Sequence, residues 1–206
     1  MRIYSNSFEH AGPLPVEFAM GTPDGFGGNR NPHLAWEDAP EGTRSFVLLC
    51  VDPDVPTVAE MVGKEGVEIP ADQPRTEFVH WVMADIPASV NAIEAGSASD
   101  GVTRPGKTNP PGPEGARQGL NDYTTWFKGD PDMGGEWYGY DGPYPPANDL
   151  RMHRYFFRLI ALDVAQLDLP QGFSAADVHR AMHGHVLAEA AIYGAYSLHP
   201  KLHGTA

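Results

Sequence analysis

Four groups of residues carry side chains able to do chemistry. Asp52-Pro53-Asp54-Val55-Pro56 sets two carboxylates around one proline at the exit of an apolar run. The prolines stiffen the backbone, and a stiff acidic turn at a strand end can hold a ligand. Aspartate and proline are also ordinary turn residues, and for these five alone a plain turn is the simpler reading. His80 stands in a second apolar run, where a hydrogen-bonded core role competes with ligand contact. His153-Arg154-Tyr155 opens a third run. Strand alternation puts His153 and Tyr155 on one face, at a pocket mouth, and turns Arg154 to the other, toward an ion pair with a carboxylate. His179, His183 and His185 form the fourth group. Histidines at i and i+4 share a helix face and can bind zinc, but no glutamate follows His179 and no third ligand is evident. A solvated face is the better reading, and no metal is assigned.

The elements that must position these residues are short. Residues 45–52, 78–86 and 154–163 are apolar, rich in Val, Ile, Phe or Tyr, and flanked by turn residues, so they predict strands. In the second run Phe78, His80, Val82, Ala84 and Ile86 alternate with Val79, Trp81 and Met83, and a strand apolar on both faces belongs between layers. Weaker strand signals cover 2–8 and 194–199. One helix is predicted from Ser174, capped reciprocally with Asp177, through an Ala-rich stretch to about residue 191, with Gly184 inside it and Gly194 as its stop. Residues 101–150 are punctuated by Gly and Pro. Their many aromatic rings, including Tyr123, Trp126, Phe127 and Trp137, predict a packed segment rather than a free one. The expectation is one mainly β domain over residues 1–206, a β-rich α+β fold with a sandwich-like core and few helices.

Composition excludes several classes. The 206 residues carry 14 Lys+Arg and 27 Asp+Glu, a formal charge of −13. That balance argues against nucleic acid or an anionic membrane surface as the main partner. Cys50 is the sole cysteine, so neither an intrachain disulfide nor a cysteine-based zinc site can form. No apolar run reaches membrane-spanning length, and the N-terminus lacks the pattern of a signal peptide. A cytoplasmic location is expected.

An ordered set of motifs resembles the phosphatidylethanolamine-binding protein family, in particular its bacterial Raf kinase inhibitor-like branch. The set comprises Asn31-Pro32-His33-Leu34-Ala35-Trp36, the Asp52–Pro56 turn, the run from Phe78 to Pro87, Asn121-Asp122-Tyr123, Gly142-Pro143-Tyr144-Pro145-Pro146, the run from His153 to Asp163, and Gly184 to Ala190, which resembles the family's C-terminal helix. The resemblance implies an antiparallel sheet packed on a second sheet, with a small cavity at one end that binds anions such as phosphate and the phosphoethanolamine head group. It assigns Asp52, Asp54, His80, Gly142, Pro143, His153 and Tyr155 to that cavity, with Tyr193 or Tyr196 as a further contributor. Residues 124–137 depart from the pattern as an insertion beside the cavity, and 57–75 could form part of its rim.

The chemistry of the residues agrees with such a ligand. Carboxylates suit an ammonium group; imidazoles and a phenol suit phosphate oxygens, provided the phosphate is protonated or a histidine is charged. There is no Gly-x-Ser-x-Gly elbow, no phosphate loop ending in Lys-Ser/Thr and no complete metal cluster, so catalysis has little support. The reading is therefore a non-catalytic binding module without cofactor, for a small anion or phosphoethanolamine-type ligand. A regulatory, kinase-inhibitor-like role is a family-level implication. A protein partner and a homodimer stay open. The alternative is a hydrolase using the Asp/His cluster, with or without a metal.

Overall fold

The computed structural model describes residues 1–202; His203 lies outside them. The strands are β1 (Arg2–Tyr4), β2 (Gly21–Thr22), β3 (Gly25–Phe26), β4 (Leu34–Glu37), β5 (Ser45–Pro56), β6 (Arg75–Pro87), β7 (Ala92–Ile93), β8 (Arg117–Gln118), β9 (His153–Leu162) and β10 (Val186–Tyr196). Helix α1 (Tyr123–Trp126) precedes β9, and α2 (Ala175–Ala181) follows it. A five-stranded antiparallel sheet in the order β10-β9-β5-β6-β8 faces a three-stranded sheet in the order β1-β4-β7, and β2 and β3 form a small hairpin. The class is β-rich α+β.

The three apolar runs become β5, β6 and β9 at the centre of the large sheet, and both of its faces are covered. Phe46, Leu48 and Cys50 on β5 and Phe157 and Leu159 on β9 pack toward Ile3, Leu34 and Trp36 of the small sheet. Val47, Leu49 and Val51 pack with Ile160 and Leu162 toward Leu167, Phe173 and Val178, the last of these on α2. Burial of this apolar area on two sides is the main force holding the strands in register.

Strict alternation fails in β6, and for an identifiable reason. Opposite β5, Cys50 pairs with Trp81 but Val51 with Val79, so His80 is an extra residue in the ladder. Phe46 pairs with Ile86 and Leu48 with Met83, which inserts a second extra residue near Asp85, at φ +58°. The bulges place His80 and Trp81 on the same side of the sheet and return Ile86 to the side of Trp81 and Met83. Val82 and Ala84 pack on the opposite side with Val79.

The predicted helix to residue 191 is only partly realised. Ser174 and Asp177 form the capping box, but α2 ends at Ala181. Gly184, at φ +86°, turns the chain, and β10 then pairs with β9 from Val186 opposite Leu162 to Tyr196 opposite His153. Alanine's helical preference is under about 1 kcal/mol per residue. A long ladder along β9, unbroken from Ala188 to Tyr196 and with Ile192 and Tyr196 buried, outweighs it. The segment 184–190 expected to be helical is therefore a turn and a strand, and Gly194 lies within the strand. The strand expected over 2–8 is confined to β1.

Candidate functional site

A cavity of about 590 Å³ opens where β5, β6 and β9 leave the sheet. Asp52, His80, His153 and Tyr155 all border it. Alternation along β9 brings His153 and Tyr155 to this side, Asp52 follows Cys50 on the same face of β5, and the bulge turns His80 inward. Of the remaining expected residues, Asp54, Gly142 and Pro143 do not border the cavity.

His153 is fully buried, and both of its ring nitrogens are occupied. Nδ1 lies 2.6 Å from Asp52 Oδ2 and Nε2 3.1 Å from Asp149 Oδ2. Carboxylate oxygens accept, so both nitrogens donate and the ring is an imidazolium. Burial works against that charge, but Asp52 and Asp149 outweigh it and raise the pKa from 6.5 to about 9. Asp149 is itself held by Arg75, whose Nη2 donates to Oδ1 at 3.0 Å. Burial would raise the Asp149 carboxyl, yet His153 and Arg75 hold it below the usual range. His153 thus has neither a free donor for an anion nor a lone pair for base catalysis. It positions Asp52.

His80 has the opposite character. Its Nδ1 lies 2.8 Å from the Asp141 carbonyl, which can only accept, so the proton is assigned to Nδ1 and Nε2 is the acceptor of the neutral ring. Burial lowers its pKa, and the nearby Asp52 carboxylate only partly offsets this. Tyr155 is also buried; its hydroxyl makes no well-formed hydrogen bond among the described residues and lies close to the Asp52 carboxylate. Burial, then the proximity of Asp52, keeps that phenol well above its ordinary pKa, so it stays a neutral hydroxyl.

Asp54 is turned away by a third bulge. Asp52 pairs with Phe78 but Val55 with Thr76, one residue too many on β5. The Asp54 carboxylate accepts from Arg151 Nε at 2.7 Å and from Arg154 Nε and Nη2 at 2.8 and 3.0 Å. Arg154 thus meets a carboxylate on the far face, as alternation predicts. Gly142 and Pro143 act behind the wall. The Gly142 N–H donates to Asn29 Oδ1 and its carbonyl accepts from the Tyr123 hydroxyl, while the Pro143 carbonyl accepts from the N–H groups of Met20 and Gly21. Neither Tyr193 nor Tyr196 reaches the cavity. Tyr193 packs on Phe156 and His10, and the Tyr196 hydroxyl donates to the Gly21 carbonyl.

Sequence reasoning missed the supporting residues Asp141, Asn29, Lys107, Asp149 and Arg75. Asp141 is fully buried and accepts from Asn29 Nδ2 at 2.8 Å, Asn121 Nδ2 at 2.9 Å and Lys107 Nζ, and its carbonyl orients His80. Its signal was its place directly before Gly142-Pro143. The histidines of the 179–185 cluster do not converge on a ligand set; His185 Nδ1 lies 2.9 Å from Asp163. Cys50 is buried, with burial and then Asp52 raising its thiol pKa, so it packs rather than reacts.

The walls are largely apolar. Tyr123 meets His80 edge-on at 5.4 Å and stacks on Phe127 at 5.3 Å. Residues 124–137 therefore supply Trp126 and Phe127 to the cavity, while Val62 and Gly63 from 57–75 border its rim. Tyr144, between Pro143 and Pro145, rests against Gly21, where a Cβ would fall among the ring carbons.

Three comparisons bear on this arrangement. The profile of the family described as phosphatidylethanolamine-binding protein matches residues 4–197. A UPF0098 protein of Aquifex aeolicus is 34% identical over 95% of this chain and 88% of its own length. The UPF0098 protein YbhB of Escherichia coli is 32% identical over 96% of this chain and 100% of its own. The crystal structure of E. coli YbcL, described as a new member of the mammalian PEBP family, superposes with a TM-score of 0.70 at 27% identity, covering 95% of this chain and 97% of that one.

Proposed function

This chain belongs to the phosphatidylethanolamine-binding protein family, and from that premise we propose that it is a binding module whose cavity takes a protonated phosphate head group of the phosphoethanolamine kind. The observation that carries the reading is the buried Tyr155 hydroxyl, which makes no well-formed hydrogen bond among the described residues and lies beside the Asp52 carboxylate, at the same cavity as the neutral His80 ring. A buried hydroxyl left unpaired costs about 1–3 kcal/mol, so a polar ligand group beside it recovers that loss. The three floor residues offer one donor, Tyr155, and two acceptors, His80 Nε2 and the remaining lone pairs of Asp52. A fully ionised phosphate would face those acceptors without a proton to give them. A singly protonated monoester supplies both an acceptor oxygen and a P–OH donor, and that match resolves the juxtaposition of carboxylate and phosphate. The same geometry disfavours hydrolysis through His153, whose two nitrogens are already taken.

The test is a calorimetric titration of phosphoethanolamine between pH 5.5 and 8. The second proton of a phosphate monoester is lost near pH 6, so the affinity falls by about tenfold or more across the range. Binding that strengthens toward pH 8, or no binding at any pH, overturns the reading.

A further inference from the structure

We propose that the segment 124–137 makes this cavity selective for a soluble phosphate monoester carrying an apolar body, with the phosphate on the floor and the body against Trp126. The inference rests on the head-group reading above and names the class of ligand that site would take.

The first argument is size and division of labour. A cavity of about 590 Å³ lies within the range of pockets that enclose whole small molecules. The polar groups sit together at Asp52, His80 and Tyr155, whereas Phe78, Phe127 and Tyr144 line the remainder. A bare phosphate would leave that apolar area in contact with water.

The second argument is charge. Among the described residues no lysine or arginine lines the cavity, and the one full cation there, His153, is shared between two carboxylates. Electrostatic attraction for an anion is therefore weak, and affinity must come from apolar burial.

The third argument is preorganisation. The wall is internally braced: Trp137 packs against Phe127 at 5.3 Å, its indole N–H donates to the Met133 carbonyl at 2.9 Å, and its backbone N–H donates to Thr124 Oγ1 at 2.9 Å. Asp130 Oδ1 accepts from the N–H groups of Asp132 and Met133. On this rigid support Trp126 remains 45% exposed and Tyr144 41% exposed, and both border the cavity. A braced loop that presents an indole to a cavity offers contact area at little ordering cost.

The experiment compares inorganic phosphate, phenyl phosphate and vesicles of phosphatidylethanolamine at pH 6, against the wild-type chain and Trp126→Ala. The half-exposed position of Trp126 makes the truncation tolerable to the fold, and a thermal melt checks this. The expected result is phenyl phosphate bound about tenfold or more tightly than inorganic phosphate, with that ratio falling toward one in Trp126→Ala. Phosphate binding without gain from the phenyl group overturns this inference and leaves the head-group reading standing; binding to the vesicles alone, whose phosphodiester has no P–OH to give, overturns both. Failure of both soluble ligands to bind overturns the head-group reading and this inference with it.

Discussion

His153 Nδ1 donates to Asp52 Oδ2 across 2.6 Å, joining β9 to β5 between residues 101 positions apart. The pair continues through Asp149 to Arg75, so charges alternate in sign from the cavity floor into the protein. A buried imidazolium between two carboxylates is held by its partners, and each partner depends on it.

Stability should therefore respond to alkaline pH through His153. Its pKa is raised on folding from 6.5 to about 9. A raised pKa means the contribution is fully present below pH 6.5 and is lost as pH climbs through 9. The loss amounts to about 3 kcal/mol. Urea melts from pH 6 to pH 9.5 read it directly. His153→Ala should melt lower at neutral pH, by about 3–5 kcal/mol, and should lack the alkaline slope. A variant as stable as the wild type would remove the imidazolium assignment.

Tyr155→Phe should separate ligand binding from folding. It deletes a buried hydroxyl that makes no well-formed hydrogen bond among the described residues, so the unliganded fold should be about as stable as the wild type. Phosphoethanolamine affinity should fall by about tenfold, the worth of one hydrogen bond of roughly 1.4 kcal/mol. Paired thermal melts and calorimetry test the two separately; equal affinities would show that the hydroxyl does not meet the ligand.

Asp54→Ala should behave in reverse. Burial raises the Asp54 carboxyl, but Arg154 and Arg151 more than offset it and leave its pKa lowered. A lowered carboxylate pKa gives stability that is present above its unfolded value of 3.8 and lost as pH falls below it. The two arginines are partly exposed, so the substitution should cost about 2 kcal/mol. Phosphoethanolamine affinity should change by no more than about twofold. A large loss of affinity in a folded variant would return Asp54 to the cavity.

The acceptors on the floor make a prediction about ester class. Phenyl phosphate can present a P–OH to Asp52 or His80, whereas methyl phenyl phosphate has none. The monoester should bind about tenfold or more tightly at pH 6, because a buried acceptor left without a donor carries the desolvation cost alone. Competition between the two ligands, followed by calorimetry, measures the ratio, and equal affinities would contradict a protonated head group.

What the sequence disclosed follows from which forces are local. The runs forming β5, β6 and β9 were legible because burial on two faces leaves an apolar signature. Alternation separated His153 and Tyr155 from Arg154. The bulges were not legible, and they decide the site: one turns His80 in and another turns Asp54 out. Each depends on how two strands far apart in sequence are paired. The alanines of β10 favoured a helix locally, and only the ladder along β9 reveals why they form a strand. Asp141 and Asn29 were invisible for the same reason, since they meet across 112 positions.

Gly21 governs where Tyr144 stands at the cavity mouth. Its N–H donates to the Pro143 carbonyl and its own carbonyl accepts from Tyr196, so its backbone is pinned from both sides. The Tyr144 ring occupies the space a Cβ would need. With the strand fixed, any side chain at position 21 must displace the ring instead. The aperture is thus set by a missing atom, and a single methyl group there would re-aim an aromatic gatepost while leaving Asp52, His80 and Tyr155 untouched.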